Sequence, residues 1–80
     1  MKKLLPSVTI RTFALVGVNQ DGSEDWLERF DINTKRAEIE KSSRKYQNTY
    51  LKGHVYLLGA EDNIMRIQFY LWGYHKEDGK

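Results

Sequence analysis

Residues 64–74 read I-M-R-I-Q-F-Y-L-W-G-Y and carry the clearest structural pattern in the chain. Side chains alternate along the stretch, and one set is apolar: Met65, Ile67, Phe69 and Leu71. The intervening set is basic, amide and aromatic: Arg66, Gln68, Tyr70, Trp72 and Tyr74. Because successive side chains of a strand point to opposite faces, the stretch predicts a strand with one core face and one mixed basic and aromatic face.

The segment just before this strand predicts its hairpin partner. Residues 54–60 are mostly apolar and read as a strand, and Glu61-Asp62-Asn63 forms a short polar loop. A loop of this length joins antiparallel neighbours. We therefore expect strands at about 54–60 and 64–74 to pair.

The first third of the chain predicts a second hairpin. Residues 8–18 are rich in β-branched side chains, which favour strands, and Asn19-Gln20-Asp21-Gly22 has the composition of a turn. Residues 23–32 fit either a strand or a short helix, in which Ser23 is the cap and Trp26 meets Phe30 at i,i+4 spacing. The hairpin-like turn favours the strand.

The middle of the chain is polar and predicts a helix at about residues 34–50. Ile39, Ser43, Tyr46 and Tyr50 recur at helical spacing and form a narrow stripe. Packing of this segment would rest on Ile39, Tyr46, Tyr50 and Leu51. A second hairpin over residues 35–41 is the alternative.

Together the elements predict an α+β domain, with one helix on one face of a four-stranded antiparallel sheet made of strands at about 8–18, 23–32, 54–60 and 64–74. An all-β meander or a small barrel is the alternative architecture. A length of 80 residues allows one domain, 1–80, in which residues 1–7 and 75–80 form polar, frayed ends.

Composition indicates a cytoplasmic, water-soluble protein. The chain has no cysteine, which favours a reducing compartment. Its longest apolar stretch, residues 13–18, is much shorter than a membrane span. The net charge of +2 is unevenly distributed, since segment 20–34 is acidic and segment 35–54 is basic. This asymmetry bears on which partners the protein binds and not on its fold.

The sequence gives no indication of an enzyme. His54 and His75 are the only histidines, and both are expected at the surface, while the carboxylates fall in turns or on a solvated strand. Nucleotide-binding, zinc-protease and serine-hydrolase motifs are absent. We therefore expect no catalytic residue, no cofactor and no metal ligand.

The first functional hypothesis is contact with nucleic acid, RNA or single strands preferred. A basic helix would neutralise phosphates, and the mixed face of the last strand would stack bases. The candidate residues are Lys41, Arg44, Lys45, Lys52, Arg66, Gln68, Tyr70, Trp72 and Tyr74. The competing structural interpretation places Tyr70 and Trp72 in a core layer beneath the helix.

The second hypothesis is a regulatory protein that captures another protein, as an inhibitor, an antitoxin-like factor or an adaptor. Its contact would be the same Tyr/Trp face, an open sheet edge, or the acidic 21–31 segment with Asp25, Trp26 and Glu28. A homodimer belongs to the same class, because a small domain gains stability from association. No membrane partner is expected.

Overall fold

The computed structural model describes residues 11–74 and places four antiparallel strands in one sheet. The strands are β1 (Thr12–Val18), β2 (Glu24–Asp31), β3 (Lys52–Leu58) and β4 (Ile64–Trp72), in the spatial order β2-β1-β3-β4. Helix α1 (Arg36–Ser43) connects β2 to β3. The predicted α+β class is confirmed, and α1 excludes the all-β alternative. The expected start of the first strand at residue 8 and the expected polar ends lie outside the described residues.

Helix α1 is shorter than the predicted helix at 34–50. It ends at Ser43 and is followed by a 3-10 turn, Arg44–Tyr46, and by turns through Thr49. The Ser43 hydroxyl donates to the Glu40 carbonyl at 2.7 Å, and such side-chain to backbone bonds compete with the helical ladder. The eight-residue helix is the longest in the described part of the chain, and no helix there is long and apolar enough to span a membrane.

The stripe predicted for the helical segment faces the sheet. Ile39 and Ser43 are buried, and Ile39 packs against Leu15 of β1 and Val55 of β3. Phe13, Leu27, Phe30, Tyr46, Phe69 and Leu71 surround this cluster. Leu51 was expected to pack there, but this prediction is wrong, because Leu51 is 52% exposed. We call this side of the sheet the helix face.

Two paired glycines let aromatic rings lie directly on the helix face. Gly17 of β1 is opposite Gly53 of β3. A Cβ on Gly17 would stand 2.5 Å from the Tyr50 ring, and a Cβ on Gly53 would collide with the Trp72 ring. The Trp72 indole also donates to the Tyr50 carbonyl at 3.0 Å. Trp72 therefore belongs to the helix face.

The opposite side of the sheet, the second face, carries its own apolar cluster. Ala14, Val16 and Leu58 are buried there, and Tyr56 packs against them. Strand β1 is thus buried on both faces in its central part.

Strand β4 does not alternate as predicted, because its pairing with β3 contains three register shifts. The β4 residues paired to second-face positions are Ile64, Ile67 and Tyr70, opposite Leu58, Tyr56 and His54. Those paired to helix-face positions are Arg66, Phe69 and Trp72, opposite Leu57, Val55 and Gly53. Each bulge adds one residue to β4 against β3, so the side-chain period becomes three. The expected common face of Arg66, Gln68, Tyr70, Trp72 and Tyr74 is therefore wrong.

Strand β2 confirms the strand interpretation of residues 23–32 and excludes the helical one. A register shift between Leu15 and Val16 places Trp26 opposite Val16 and Glu28 opposite Leu15. Trp26 consequently lies on the second face, and Glu28 lies on the helix face. Both hairpin loops have the predicted polar character, and Gly22 supplies a positive φ of 91° in the first.

Candidate functional site

The nine residues predicted to bind nucleic acid are distributed over both sides of the molecule. Lys41, Arg44 and Lys45 lie on the helical segment. Arg66 and Trp72 belong to the helix face, and Gln68 is an extra residue of a β4 bulge. Lys52, Tyr70 and Tyr74 lie at one end of the second face. The structure therefore does not form the single basic and aromatic surface that the sequence predicts.

Some of the basic side chains interact with other side chains of the same chain. The Lys45 ammonium lies 2.8 Å from the Glu28 carboxylate, and its hydrogen bond to that carboxylate raises the pKa of Lys45. The Lys52 ammonium sits 4.9 Å from the centre of the Tyr74 ring. Lys41 and Arg44 are exposed and form no ion pair with another residue of 11–74.

The acidic residues proposed as a protein-binding set are separated as well. The Tyr50 hydroxyl donates to Asp25 at 3.0 Å, and the Tyr46 hydroxyl donates to Glu28 at 2.7 Å. Hydrogen bonds from Lys45 and Tyr46 lower the pKa of Glu28. These two acids therefore attach the helical segment to the sheet. Of the three predicted residues, Trp26 is the one that lies on the second face.

The second face exposes an uncharged row on its edge strand, which we call the apolar row: Ile64, Ile67 and Tyr70. Their exposed fractions are 47%, 38% and 52%. The bulges of β4 bring them into line, so the row has no charged member. On the far side of the same face, Trp26 is 43% exposed and its ring lies 6.1 Å from that of Tyr56.

A buried histidine supports the aromatic end of the second face. His54 is only 2% exposed, so its expected surface position is wrong. Its Nδ1 lies 2.8 Å from the Tyr74 hydroxyl oxygen. The rings of Tyr56 and Tyr70 lie 4.7 and 6.3 Å from the imidazole, both edge-on. The imidazole therefore holds three tyrosines in a defined arrangement.

Glu24 of β2 completes this cluster across the sheet. The Tyr56 hydroxyl donates to both Glu24 oxygens, at 2.7 and 3.0 Å. A Glu24 oxygen lies 3.7 Å from Nε2 of His54, and that nitrogen has no hydrogen-bond partner in the described part of the chain. Burial lowers the pKa of His54, and the Glu24 carboxylate opposes that shift. Burial and the bond to Glu24 raise the pKa of Tyr56 to about 12.

Glu24, His54 and Tyr56 contain groups that can exchange protons, and they lie beside one another on the second face. His54 is enclosed by the tyrosine rings, and a shallow depression of about 220 Å³ lies elsewhere, lined by Ala14, Trp26, Leu27, Glu28 and Arg29. Among residues 11–74, no three His, Asp or Glu side chains converge as metal ligands. Through His54, the cluster contacts the rings of Tyr70 and Tyr74.

Sequence reasoning missed Glu24, His54, Tyr56, Ile64 and Ile67 as residues of this face. A histidine between buried apolar residues of a predicted strand was a usable signal, because His54 and Tyr56 are two positions apart and share a face. The exposure of Ile64 and Ile67 had no local signal. It depends on bulges that only the pairing with β3 reveals.

Comparison of the chain with protein-family models, with curated proteins and with solved structures finds no match in any of the three.

Proposed function

We propose that this protein is a non-enzymatic binding protein of the cytoplasm and that it engages a protein partner through the second face. The observation that carries the proposal is the alignment of Ile64, Ile67 and Tyr70 by three bulges on an edge strand. Bulges commonly re-aim side chains at functional positions. A row of exposed apolar and aromatic side chains is the usual composition of an interface core.

The charges around the row favour a protein over a nucleic acid. Arg29 is paired with Asp62, and Glu24 accepts the hydrogen bonds of Tyr56. The face therefore presents little free positive charge, whereas nucleic-acid affinity depends mainly on cations at phosphates. Exposed tyrosine and tryptophan are typical anchors of protein interfaces.

A second candidate function, contact with a nucleic-acid single strand, has one specific observation in its favour. The rings of Tyr70 and Tyr74 lie 4.4 Å apart, and the Lys52 ammonium is over Tyr74. A base could stack on Tyr70 while Lys52 contacts a phosphate. This site is much smaller than the nine-residue surface expected from sequence.

The proposed function is tested by capture on the immobilised protein, with Ile67→Asp as the disrupting variant. Leu51→Asp is the matched control, because it places the same charge at another exposed apolar side chain outside the row. We expect a protein, this chain included, to be retained by the wild type and by Leu51→Asp. Its retention should fall at least about tenfold with Ile67→Asp, the effect of charging an interface core.

Circular dichroism establishes that both variants are folded before capture is compared. Retention that is the same for Ile67→Asp and the wild type would count against the proposed function. So would equal losses in the two variants, because Leu51 lies outside the apolar row.

A further inference from the structure

We propose that the occupant of the apolar row is a second copy of this chain, bound around a two-fold axis that passes beside Ile67. The inference rests on the proposed function, because it takes the row to be a protein-binding surface and names the partner. In this arrangement Ile67 meets Ile67 of the second copy, and β4 strands of the two copies run antiparallel across the contact.

The order of side chains along the row makes it self-complementary. Ile64 and Tyr70 are placed symmetrically about Ile67, each one bulge unit away. A two-fold axis at Ile67 therefore packs Ile64 of each copy against Tyr70 of the other copy. In an isologous contact of this kind, the same patch on both copies must complement itself. The row has no charged member, so this contact buries no charge of the row.

Charges at the two ends of the row select the antiparallel arrangement. Glu61, in the loop before Ile64, is exposed and forms no ion pair within residues 11–74. Lys52, at the Tyr70 end, contacts only the Tyr74 ring by its ammonium among the described interactions. The antiparallel contact brings Glu61 toward Lys52 of the second copy at both ends.

A parallel arrangement of the rows would have the opposite electrostatic result. It would bring Lys52 toward Lys52 and Glu61 toward Glu61, and like charges in juxtaposition oppose association. Within residues 11–74, two further charges near the ends are already engaged in one copy, since Asp62 is paired with Arg29 and Glu24 is bonded to Tyr56.

Small size adds a reason for association. A chain of about 60 to 80 residues buries only about 60–65% of the surface of its unfolded form. The apolar row and Trp26 leave large side chains in water, and a second copy would remove them from it. The contact needs no rearrangement, because β3 already holds the row in line.

The first test is sedimentation velocity of the full chain from about 10 µM to about 1 mM, the range in which a modest interface dissociates. We expect a concentration-dependent dimer. Ile67→Asp should be a monomer throughout, and Leu51→Asp should dimerise like the wild type. A wild type that remains a monomer at the highest concentration would overturn the inference.

The second test is a charge swap, which leaves the row intact and so remains informative if Ile67→Asp does not fold. Lys52→Glu alone and Glu61→Lys alone should each weaken dimerisation about tenfold, because attraction becomes repulsion at both ends. The double variant should return to within about threefold of the wild type. Lys41→Glu and Glu38→Lys are the controls, since they make the same charge changes on exposed helix positions.

Failure of the swap to restore dimerisation would overturn the two-fold arrangement. A monomeric wild type that still captures a different protein in an Ile67-dependent manner would reject the second copy and leave the proposed function standing. Absence of both dimer and row-dependent capture would reject the two proposals together.

Discussion

At the scale of single residues, His54 has the most unusual environment in the described chain. It is buried beside Tyr56, Tyr70 and Tyr74, and the one carboxylate of residues 11–74 that forms a close contact with it, Glu24, already accepts the Tyr56 hydroxyl. The Lys52 ammonium lies over the ring of Tyr74. The imidazole is therefore stable in its neutral form, and its charged form is poorly solvated.

This environment predicts that the protein loses stability as the pH falls below the ordinary histidine pKa of 6.5. Burial makes the pKa of His54 lower in the folded state, so the unfolded state binds the proton first. The free energy of unfolding then decreases from pH 6.5 down to the folded pKa. Urea unfolding between about pH 5 and 8, above most of the range in which carboxylates titrate, measures the effect.

Two variants test whether His54 is the residue that causes this pH dependence. His54→Gln should be less stable than the wild type at pH 8 but should lose the slope below pH 6.5. His75→Gln removes the other histidine of the chain and should leave the slope unchanged. A slope that disappears with His75→Gln and persists with His54→Gln would contradict the prediction.

Position 17 requires glycine because a side chain there would collide with the Tyr50 ring, and not because its backbone conformation favours glycine. Its missing Cβ leaves room for the Tyr50 ring on the helix face. Gly17→Ala should lower the free energy of unfolding by about 1–3 kcal/mol, the usual result of overpacking. Chemical denaturation measures it. In a Tyr50→Leu background the same substitution should be much less destabilising, and an equal loss there would exclude the ring as the cause.

At the scale of elements, α1 is attached to the sheet by a small number of groups. Ile39 supplies the fully buried apolar contact of the helix. Beyond the helix, Tyr46 and Tyr50 reach Glu28 and Asp25 through their hydroxyls. Because water competes for both bonds, each contributes less than a fully buried hydrogen bond to a charged partner would.

Ile39→Ala should therefore destabilise the protein by about 2–5 kcal/mol, because truncation leaves a cavity between α1, β1 and β3. Leu51→Ala is the matched comparison, since sequence places Leu51 in the same packing group but the structure exposes it. We expect a change of less than about 0.5 kcal/mol there. Similar losses in thermal or urea unfolding would contradict the packing described.

Strand β4 shows why an element can be predicted while its faces are not. Its composition and length indicate a strand, and the structure confirms one. Its faces depend on three bulges against β3. A bulge is set by pairing, twist and packing of two strands, so alternation within β4 alone assigns Ile67 and Trp72 to the wrong sides.

At the scale of the whole molecule, the distribution of charge favours the protein-binding proposal over the nucleic-acid hypothesis. Basic residues on the helical segment and the rings on the second face lie on opposite sides of the sheet. Few phosphates could therefore be contacted together. We expect labelled single-stranded RNA and duplex DNA to show no saturable anisotropy change at about 50 mM salt, where even a few phosphate contacts are detectable.

A second titration at about 200 mM salt distinguishes weak general attraction from a site. Saturable binding that falls steeply between the two salt concentrations would restore the nucleic-acid hypothesis. Tyr70→Ala would then be compared with Lys41→Ala. A loss only with Tyr70→Ala would point to the small Tyr70, Tyr74 and Lys52 site.

The sequence by itself determined the α+β class, the four strands, the position of the helix and the stripe that begins with Ile39 and Ser43. Those features follow from local periodicity, turn chemistry and composition, which each segment carries within itself. The tertiary structure alone decided the burial of His54, the separation of Trp26 from Glu28, and the alignment of Ile64, Ile67 and Tyr70. Each of these depends on the register between strands, and one inserted residue in a pair moves every following side chain to the other face.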